Sequence, residues 1–146
     1  MTSNHTLKRE RRHAAFSVYA AETPDRPAYI MANSGETVTY GQLDRRSNQI
    51  AHLLRSLGLK PGDHMAMMLI NCAEFLQVAQ AANRAGIIFT PISTHLKKDE
   101  TAYIINNCQA KVFIASSSLA AQLCSRDAAR RGASPTSLRA GTTSCC

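Results

Sequence analysis

The chain has 146 residues, of which 45% are apolar and 18% charged, an ordinary composition for one globular domain. Its formal net charge of +7 would suit a nucleic-acid or membrane surface if the charge were spread along the chain. Instead, residues 1–13 and 117–146 each carry four basic residues and one acidic residue, so each end contributes +3 and the middle only +1. We therefore expect two solvated basic arms, with a nucleic-acid footprint as the alternative.

The cysteine pattern excludes the common zinc sites and favours a reducing compartment. No C-x-x-C spacing occurs, and no histidine lies at ligand spacing. Because the cysteine count is odd and no secretory signal is recognisable, we expect free thiols in the cytoplasm. The longest apolar run, Met65–Ile70, is far shorter than the ~20 residues that span a bilayer, so no membrane span is predicted. The five cysteines are Cys72, Cys108, Cys124, Cys145 and Cys146.

The first elements are predicted to be a short helix and two short strands. Apolar side chains three residues apart indicate a helix over His13–Ala21, which the proline-containing segment Pro24–Pro27 ends. Strands are predicted at Ala28–Met31 and Thr37–Tyr40, with turn-forming residues between them.

A helix from Tyr40 to Leu57 is the best specified element of the chain. Thr39 and Gln42 have the spacing of a capping box, in which each side chain binds a backbone amide at the helix start. Gly58 is expected to end the helix in the left-handed conformation, with the next residue folding back onto the helix. One apolar stripe is predicted to be buried: Leu43, Ser47, Ile50, Leu54 and Leu57.

The middle of the chain alternates strand and helix. The runs His64–Ile70 and Ile87–Ile92 are apolar without alternation, as in strands buried on both faces of a parallel sheet. One helix is predicted between them, ending at Gly86, and a second over Lys97–Asn107, before a strand at Lys111–Ala115. This order predicts an α/β fold with a mostly parallel sheet and flanking helices. The expected buried face of the first of these helices comprises Phe75, Leu76, Ala79 and Ala82.

The composition changes after Ser116. Residues 117–146 contain six Ser, six Ala, four Arg and three Cys, but no Val, Ile, Met, Phe or Tyr. Such a segment buries too little apolar area to offset the entropy of ordering it. We therefore expect a helical turn at Leu119–Leu123 and disorder beyond Arg131, and we expect the tail after Ser116 to be dispensable for the fold.

Five short motifs follow one another between residues 24 and 116. They are Thr39-Tyr40 with Leu43, Leu59-Lys60-Pro61-Gly62-Asp63, Glu74-Phe75, Ala85-Gly86 with Pro91, and Ala102-Tyr103-Ile104. In this order and at these intervals they resemble the N-terminal part of the adenylate-forming superfamily, the AMP-dependent acyl-CoA synthetases and ligases.

The resemblance implies a reaction in which a carboxylate attacks ATP to give an acyl-adenylate and pyrophosphate, after which a thiol, usually of coenzyme A, takes the acyl group. ATP, Mg²⁺ and coenzyme A are therefore the implied cofactors of the full-length family. Its phosphate loop, rich in Ser, Thr and Gly and containing a lysine, has no counterpart in this sequence; the nearest string, Arg139–Ser144, lacks the second glycine and the lysine. We therefore assign no catalytic, cofactor-binding or metal-ligating residue.

Several polar residues receive structural interpretations instead. His95, with Lys97 and Lys98, follows the Pro91 strand in a region that in some relatives lies near the coenzyme A entrance. These side chains could contact a phosphate, but a solvated loop is the favoured interpretation. His52 is interpreted as a helix-surface residue and His64 as a strand-entry residue. Glu74 is interpreted as a charge at a helix N-terminus.

The predicted organisation is a basic arm over residues 1–13, a partial synthetase N-terminal domain over residues 14–116 and a non-family tail over residues 117–146. The chain is accordingly expected to be a truncated N-terminal piece of an AMP-forming fatty or aryl acyl-CoA synthetase, inactive as a ligase by itself. One alternative is a binding module that pairs with a separate ligase remainder, or with a second copy, through an exposed sheet edge. Another is a small basic protein that binds nucleic acid.

Overall fold

A computed structural model describes residues 16–119 and the backbone of residues 136–137. The chain divides into two compact units, residues 1–49 and residues 50–146, and the boundary falls within one long helix. Of the helices in the described part of the chain, none is long and apolar enough to cross a membrane.

The first unit contains a helix and an antiparallel hairpin. Residues 16–22 are helical (α1), and the hairpin pairs β1, Pro27–Ile30, with β2, Thr37–Thr39. Strand β1 begins and ends one residue earlier than predicted. The reason is that Met31 belongs to the turn: its N–H donates to the Glu36 carbonyl at 2.8 Å, and its carbonyl accepts from Gly35 N–H at 2.8 Å.

Helix α2, Tyr40–Ser56, confirms the prediction made from its capping residues. The Gln42 N–H donates to Thr39 Oγ1 at 3.3 Å, and the Thr39 N–H donates to Gln42 Oε1 at 3.1 Å. Gly58 has a φ of +86°, and the next N–H, of Leu59, returns to the Leu54 carbonyl at 3.2 Å, as in a Schellman-type cap. Within the predicted stripe, Leu43, Ser47 and Leu54 are buried, whereas Ile50 and Leu57 are half-buried.

The second unit is built on a parallel sheet with the strand order β4-β3-β5-β6. This architecture confirms the predicted α/β fold with a mostly parallel sheet. The two-residue strand β6, which pairs with β5, was not predicted. Residues 120–135 and 138–146 lie outside the described residues, so the predicted turn beyond Leu119 and the predicted disorder at the other positions after Arg131 stay predictions. The elements are β3 His64–Met68, α3 Ala73–Ala85, β4 Ile88–Pro91, α4 Lys98–Asn107, β5 Val112–Ala115 and β6 Thr136–Ser137.

Strand β3 separates two apolar clusters. Met65 and Met67 belong to the cluster that includes buried residues of α2 and α3, whereas Ala66 and Met68 belong to the cluster that includes residues of α4. Successive residues of a strand point to opposite faces, so β3 is covered on both sides. This burial confirms the interpretation of the non-alternating run at its core, although the strand ends at Met68 rather than Ile70.

Strand β4 does not have the two buried faces that its sequence predicts. Ile88 is 50% exposed, and Pro91 is also exposed. The physical reason is position: among the described strands, β4 pairs only with β3 and so lies at the edge of the sheet. Pro91 suits this position because proline has no N–H to offer a further strand.

Helix α3 buries a different face from the predicted one. Leu76 was expected in the core but is 40% exposed, and Phe75 is only half-buried, whereas Ala79 and Ala82 are buried as predicted. The helix is rotated so that small side chains face the sheet, and the helix axis can approach the strands closely. Its buried residues are Ala73, Gln77, Val78, Ala79, Ala81, Ala82 and Ala85.

Burial of Leu54, which is 1% exposed, predicts a large loss of stability on truncation. Leu54→Ala should lower the free energy of unfolding by about 2–5 kcal/mol, because it leaves a cavity in the α2–α3 cluster. Thr39→Ala should cost nearer 1 kcal/mol through loss of the cap. Denaturant unfolding of both variants tests this, with Leu53→Ala, at a 46% exposed position of the same helix, as the control. Equal losses at Leu53 and Leu54 would show that the buried face is misplaced.

Candidate functional site

A cleft of about 300 Å³ lies at the carboxyl ends of β3 and β4. Parallel strands present their carboxyl ends at one edge of the sheet, and ligands of open α/β sheets bind at that edge. The cleft is therefore a candidate ligand site. It is lined by Leu69, Ile70, Asn71, Phe75, Ile92, Ser93 and Thr94.

The two walls of the cleft are short segments whose backbone amides donate to serine hydroxyls or to a carbonyl of β3. On one side, the Ile70 N–H donates to Ser116 Oγ at 3.0 Å, and Phe75 lies in the first turn of α3. On the other side, the Ile92 N–H donates to the Met67 carbonyl at 2.8 Å, and Ser93 Oγ accepts from the His95 N–H at 3.3 Å. The Ile70 bond ties one wall to the end of β5, the Ile92 bond ties the other to β3, and the Ser93 bond is local to its own loop.

The lining is neutral. Four of the seven side chains are apolar, and the others, Asn71, Ser93 and Thr94, carry amide or hydroxyl groups. Such a surface can contact an apolar group and donate or accept a few hydrogen bonds. It holds neither an acid, a base nor a cation to move a proton or bind a phosphate, and within the described residues no cluster of three His, Cys, Asp or Glu could hold a metal ion.

Cys72 adjoins the cleft as the N-cap of α3. Desolvation by burial, followed by a hydrogen bond with the Glu74 side chain, raises the pKa of the Cys72 thiol to about 11. The thiolate is the nucleophilic form of cysteine, so this side chain is a protonated thiol at neutral pH rather than a nucleophile. Glu74 lies in the first turn of α3, which agrees with its interpretation as a helix N-terminal charge.

The histidines and lysines singled out in the sequence do not converge on the cleft. His95 and Lys97 are exposed in the segment that follows the cleft residue Thr94, and Lys98 begins α4. The Lys97 N–H donates to Glu100 Oε2 at 2.8 Å, so a glutamate supports the start of α4 in place of a Ser or Thr cap. His64 starts β3, at the end of the sheet opposite the cleft, as predicted for a strand-entry residue. Exposed His52 lies on the surface of α2, also as predicted.

An ion pair marks the amino end of the sheet. Lys111 Nζ lies 2.8 Å from Asp63 Oδ1, and the Lys60 N–H donates to Asp63 Oδ2 at 2.8 Å. The hydrogen bond from Lys111, followed by that from the Lys60 backbone, lowers the pKa of the Asp63 carboxyl. Because Asp63 immediately precedes β3 and Lys111 precedes β5, the pair links the starts of two neighbouring strands and has a structural role.

Sequence reasoning assigned no site residues and missed the cleft. Its lining carries no motif, because apolar and neutral side chains are common everywhere. The available signal was position: residues 69–71 and 92–94 lie at the carboxyl ends of the predicted strands His64–Ile70 and Ile87–Ile92, which must meet at one edge of a parallel sheet.

Comparison with known proteins gives the class of this fold. A sequence profile of the family described as AMP-binding enzyme matches residues 16–143. The matched range is wider than residues 24–116, over which motifs were recognised, and it extends into the segment after Ser116. The chain belongs to the AMP-binding enzymes, the adenylate-forming acyl-CoA ligase superfamily.

Individual relatives match over most of this chain but only a small part of their own length. Long-chain fatty acid transport protein 1 of Mus musculus is 33% identical over 106 residues, 73% of this chain and 16% of the relative. 2-Succinylbenzoate–CoA ligase of Oceanobacillus iheyensis is 35% identical over 99 residues, 68% of this chain and 20% of the relative. The chain thus spans a fifth or less of these curated relatives.

A solved structure supports the same assignment. The Mycobacterium tuberculosis fatty acyl CoA synthetase matches 86% of this chain and 25% of its own, with a TM-score of 0.73 and 26% identity. The fold described above is therefore part of the adenylate-forming fold.

The raised pKa of Cys72 predicts slow alkylation in the folded chain. In a variant whose other four cysteines are serine, reaction with iodoacetamide should rise with pH toward a midpoint near 11. At pH 8.5 the folded protein should hold on the order of 100-fold less thiolate than the urea-unfolded chain. As pH rises from about 9 to about 11, the unfolded chain releases the thiol proton first, so Cys72 should reduce stability over that range. An alkylation midpoint near that of a free thiol would contradict this account.

Proposed function

We propose that this chain acts as the N-terminal portion of an acyl-CoA ligase, contributes a ligand cleft at the carboxyl edge of its sheet, and does not activate acids by itself. The carrying observation is the neutral lining of the cleft at the carboxyl edge of the sheet. Activation of a carboxylate by ATP requires groups that stabilise the charge of a triphosphate. The lining offers no such group, and the printed sequence contains no phosphate loop.

ATP and Mg²⁺, implied by the family, do not fit the described residues. A Mg²⁺ ion bound with a nucleotide needs carboxylates beside the phosphates, and the cleft is lined by no carboxylate and no lysine. We therefore assign no reaction step to this chain and propose that nucleotide chemistry belongs to other parts of a complete ligase. A cytoplasmic location is part of the proposal and rests on the odd cysteine count.

The relatives do not assign an acyl substrate to this chain. Relatives with similar identity, 33% and 35%, are named for a long-chain fatty acid and for 2-succinylbenzoate. These acids differ in size and in ring content, so a common segment can contribute architecture without specifying the acid. We propose a role in fatty or aryl acid metabolism only through a complete ligase.

Pairing through the sheet edge is a second proposal, favoured by the exposure of Ile88 on β4. Pro91 limits such pairing because it removes one donor from that edge. Co-purification with a ligase fragment that lacks the matched quarter would support pairing with a remainder, and concentration-dependent sedimentation would support a second copy. Nucleic-acid binding rests on the basic arms, which lie outside the described residues except for residues 117–119 and the backbone of residues 136–137; salt-dependent retention on DNA tests it.

Purified full chain, supplied with ATP, Mg²⁺ and a panel of fatty and aryl acids, should release no pyrophosphate above the protein-free background. The Mycobacterium tuberculosis fatty acyl CoA synthetase, assayed in parallel, serves as the positive control. The proposal is overturned by reproducible acid-dependent pyrophosphate release that a point substitution in this chain abolishes while the melting temperature is unchanged.

A further inference from the structure

Ser116 joins the end of β5 to the segment after β3. Its N–H donates to the Met68 carbonyl at 3.2 Å, and its hydroxyl accepts from the Ile70 N–H at 3.0 Å. The second bond connects residues 46 positions apart and reaches a residue that lines the cleft. Ser116 immediately precedes the segment of different composition, and its side chain holds one wall of the candidate site.

The strand order makes this position significant. From β3 the chain passes to β4 on one side and then, through α4, to β5 on the other side of β3. The direction of winding reverses at the gap between β3 and β5, which is where open α/β sheets usually leave a ligand crevice. Here the Ser116 hydroxyl bridges that gap, and the open cleft lies beside it, between the segments that follow β3 and β4.

We propose that Ser116 is a positioning residue for this cleft. By fixing the Ile70 amide, it holds the wall Leu69–Asn71 in the shape that admits a neutral, largely apolar group with a hydroxyl or amide. This inference rests on the proposed function, since it assigns a ligand to the cleft of a ligase portion. Ser116 does not touch the ligand in this account and acts through Ile70.

A purely structural role is the competing explanation. Ser116 also precedes the helical residues 117–119, and its carbonyl accepts from the Leu119 N–H at 2.9 Å. That bond uses the backbone and survives replacement of the side chain. Loss of the hydroxyl should therefore alter the cleft wall more than the fold, since the Ile70 bond is exposed and each such bond contributes little to net stability.

The test uses the full ¹⁵N-labelled chain and cyclohexanol as a neutral, apolar probe with one hydroxyl. In the parent chain and in Ser116→Thr, cyclohexanol should produce saturable shifts at the Ile70, Phe75 and Ser93 amides. In Ser116→Ala, probe affinity should fall about 3- to 10-fold and Ile70 amide exchange should accelerate by a similar factor, the ordinary effect of one lost hydrogen bond. Ser117→Ala, at the exposed neighbouring serine, is the matched control and should change neither measurement.

Three results would overturn the proposal: no saturable binding by the parent chain, unchanged affinity in Ser116→Ala, or failure of Ser116→Thr to retain binding while the melting temperature is preserved. If Ser116→Ala does not fold, Ser116→Thr is compared with Ser116→Val, because these two differ by one hydroxyl at nearly equal volume. Pyrophosphate release by the chain would refute the proposed lack of acid activation without changing the cyclohexanol titration. Failure of the proposed function and failure of the positioning role of Ser116 are therefore distinguishable.

Discussion

The enclosure of β3 is the constraint on which the second unit depends. Met65, Ala66 and Met67 have no exposed surface, and β3 pairs with a strand on each side. A strand in this position must be apolar on both faces, and each face needs a helical layer to exclude water. Helices α2 and α3 contribute to one layer and α4 to the other, so both faces of β3 are covered.

The same constraint aligns the ends of the strands. The Gly62 N–H donates to the Gly86 carbonyl at 2.7 Å, which joins the turn before β3 to the end of α3. Gly86 has a φ of +70°, and a Cβ there would approach the Pro61 Cβ to 3.2 Å, so glycine satisfies both the backbone conformation and the close approach. Fixing the starts of β3 and β4 together brings their carboxyl ends to one edge, where the cleft forms.

Local signals in the sequence predicted the helices and strands well. Which of their side chains are buried, and where the cleft lies, depends on how the elements pack in three dimensions. The Thr39–Gln42 capping box and Gly58 specified α2 within one residue, because their hydrogen bonds are local. The exposure of Ile88 was not predictable from its apolar run, since an edge strand and a central strand have similar sequences and differ only in the number of neighbours. The exposure of Leu76 depends on which side of α3 meets the sheet, and the cleft depends on two segments more than twenty residues apart.

Membership of the adenylate-forming superfamily was recognisable because five motifs retain their order. Those motifs are mostly turns, caps and packing residues, so they identify a family without supplying its chemistry.

The central claim is that β3 is the stable centre of this portion of the ligase fold. Native-state hydrogen exchange measures it most directly, because amides that exchange only on global unfolding mark the last structure to open. The account predicts the slowest exchange at Met65, Ala66 and Met67, with faster exchange at Tyr29 in the two-stranded hairpin and at Phe89 on the sheet edge. Exchange at the β3 amides as fast as at Tyr29 would contradict it.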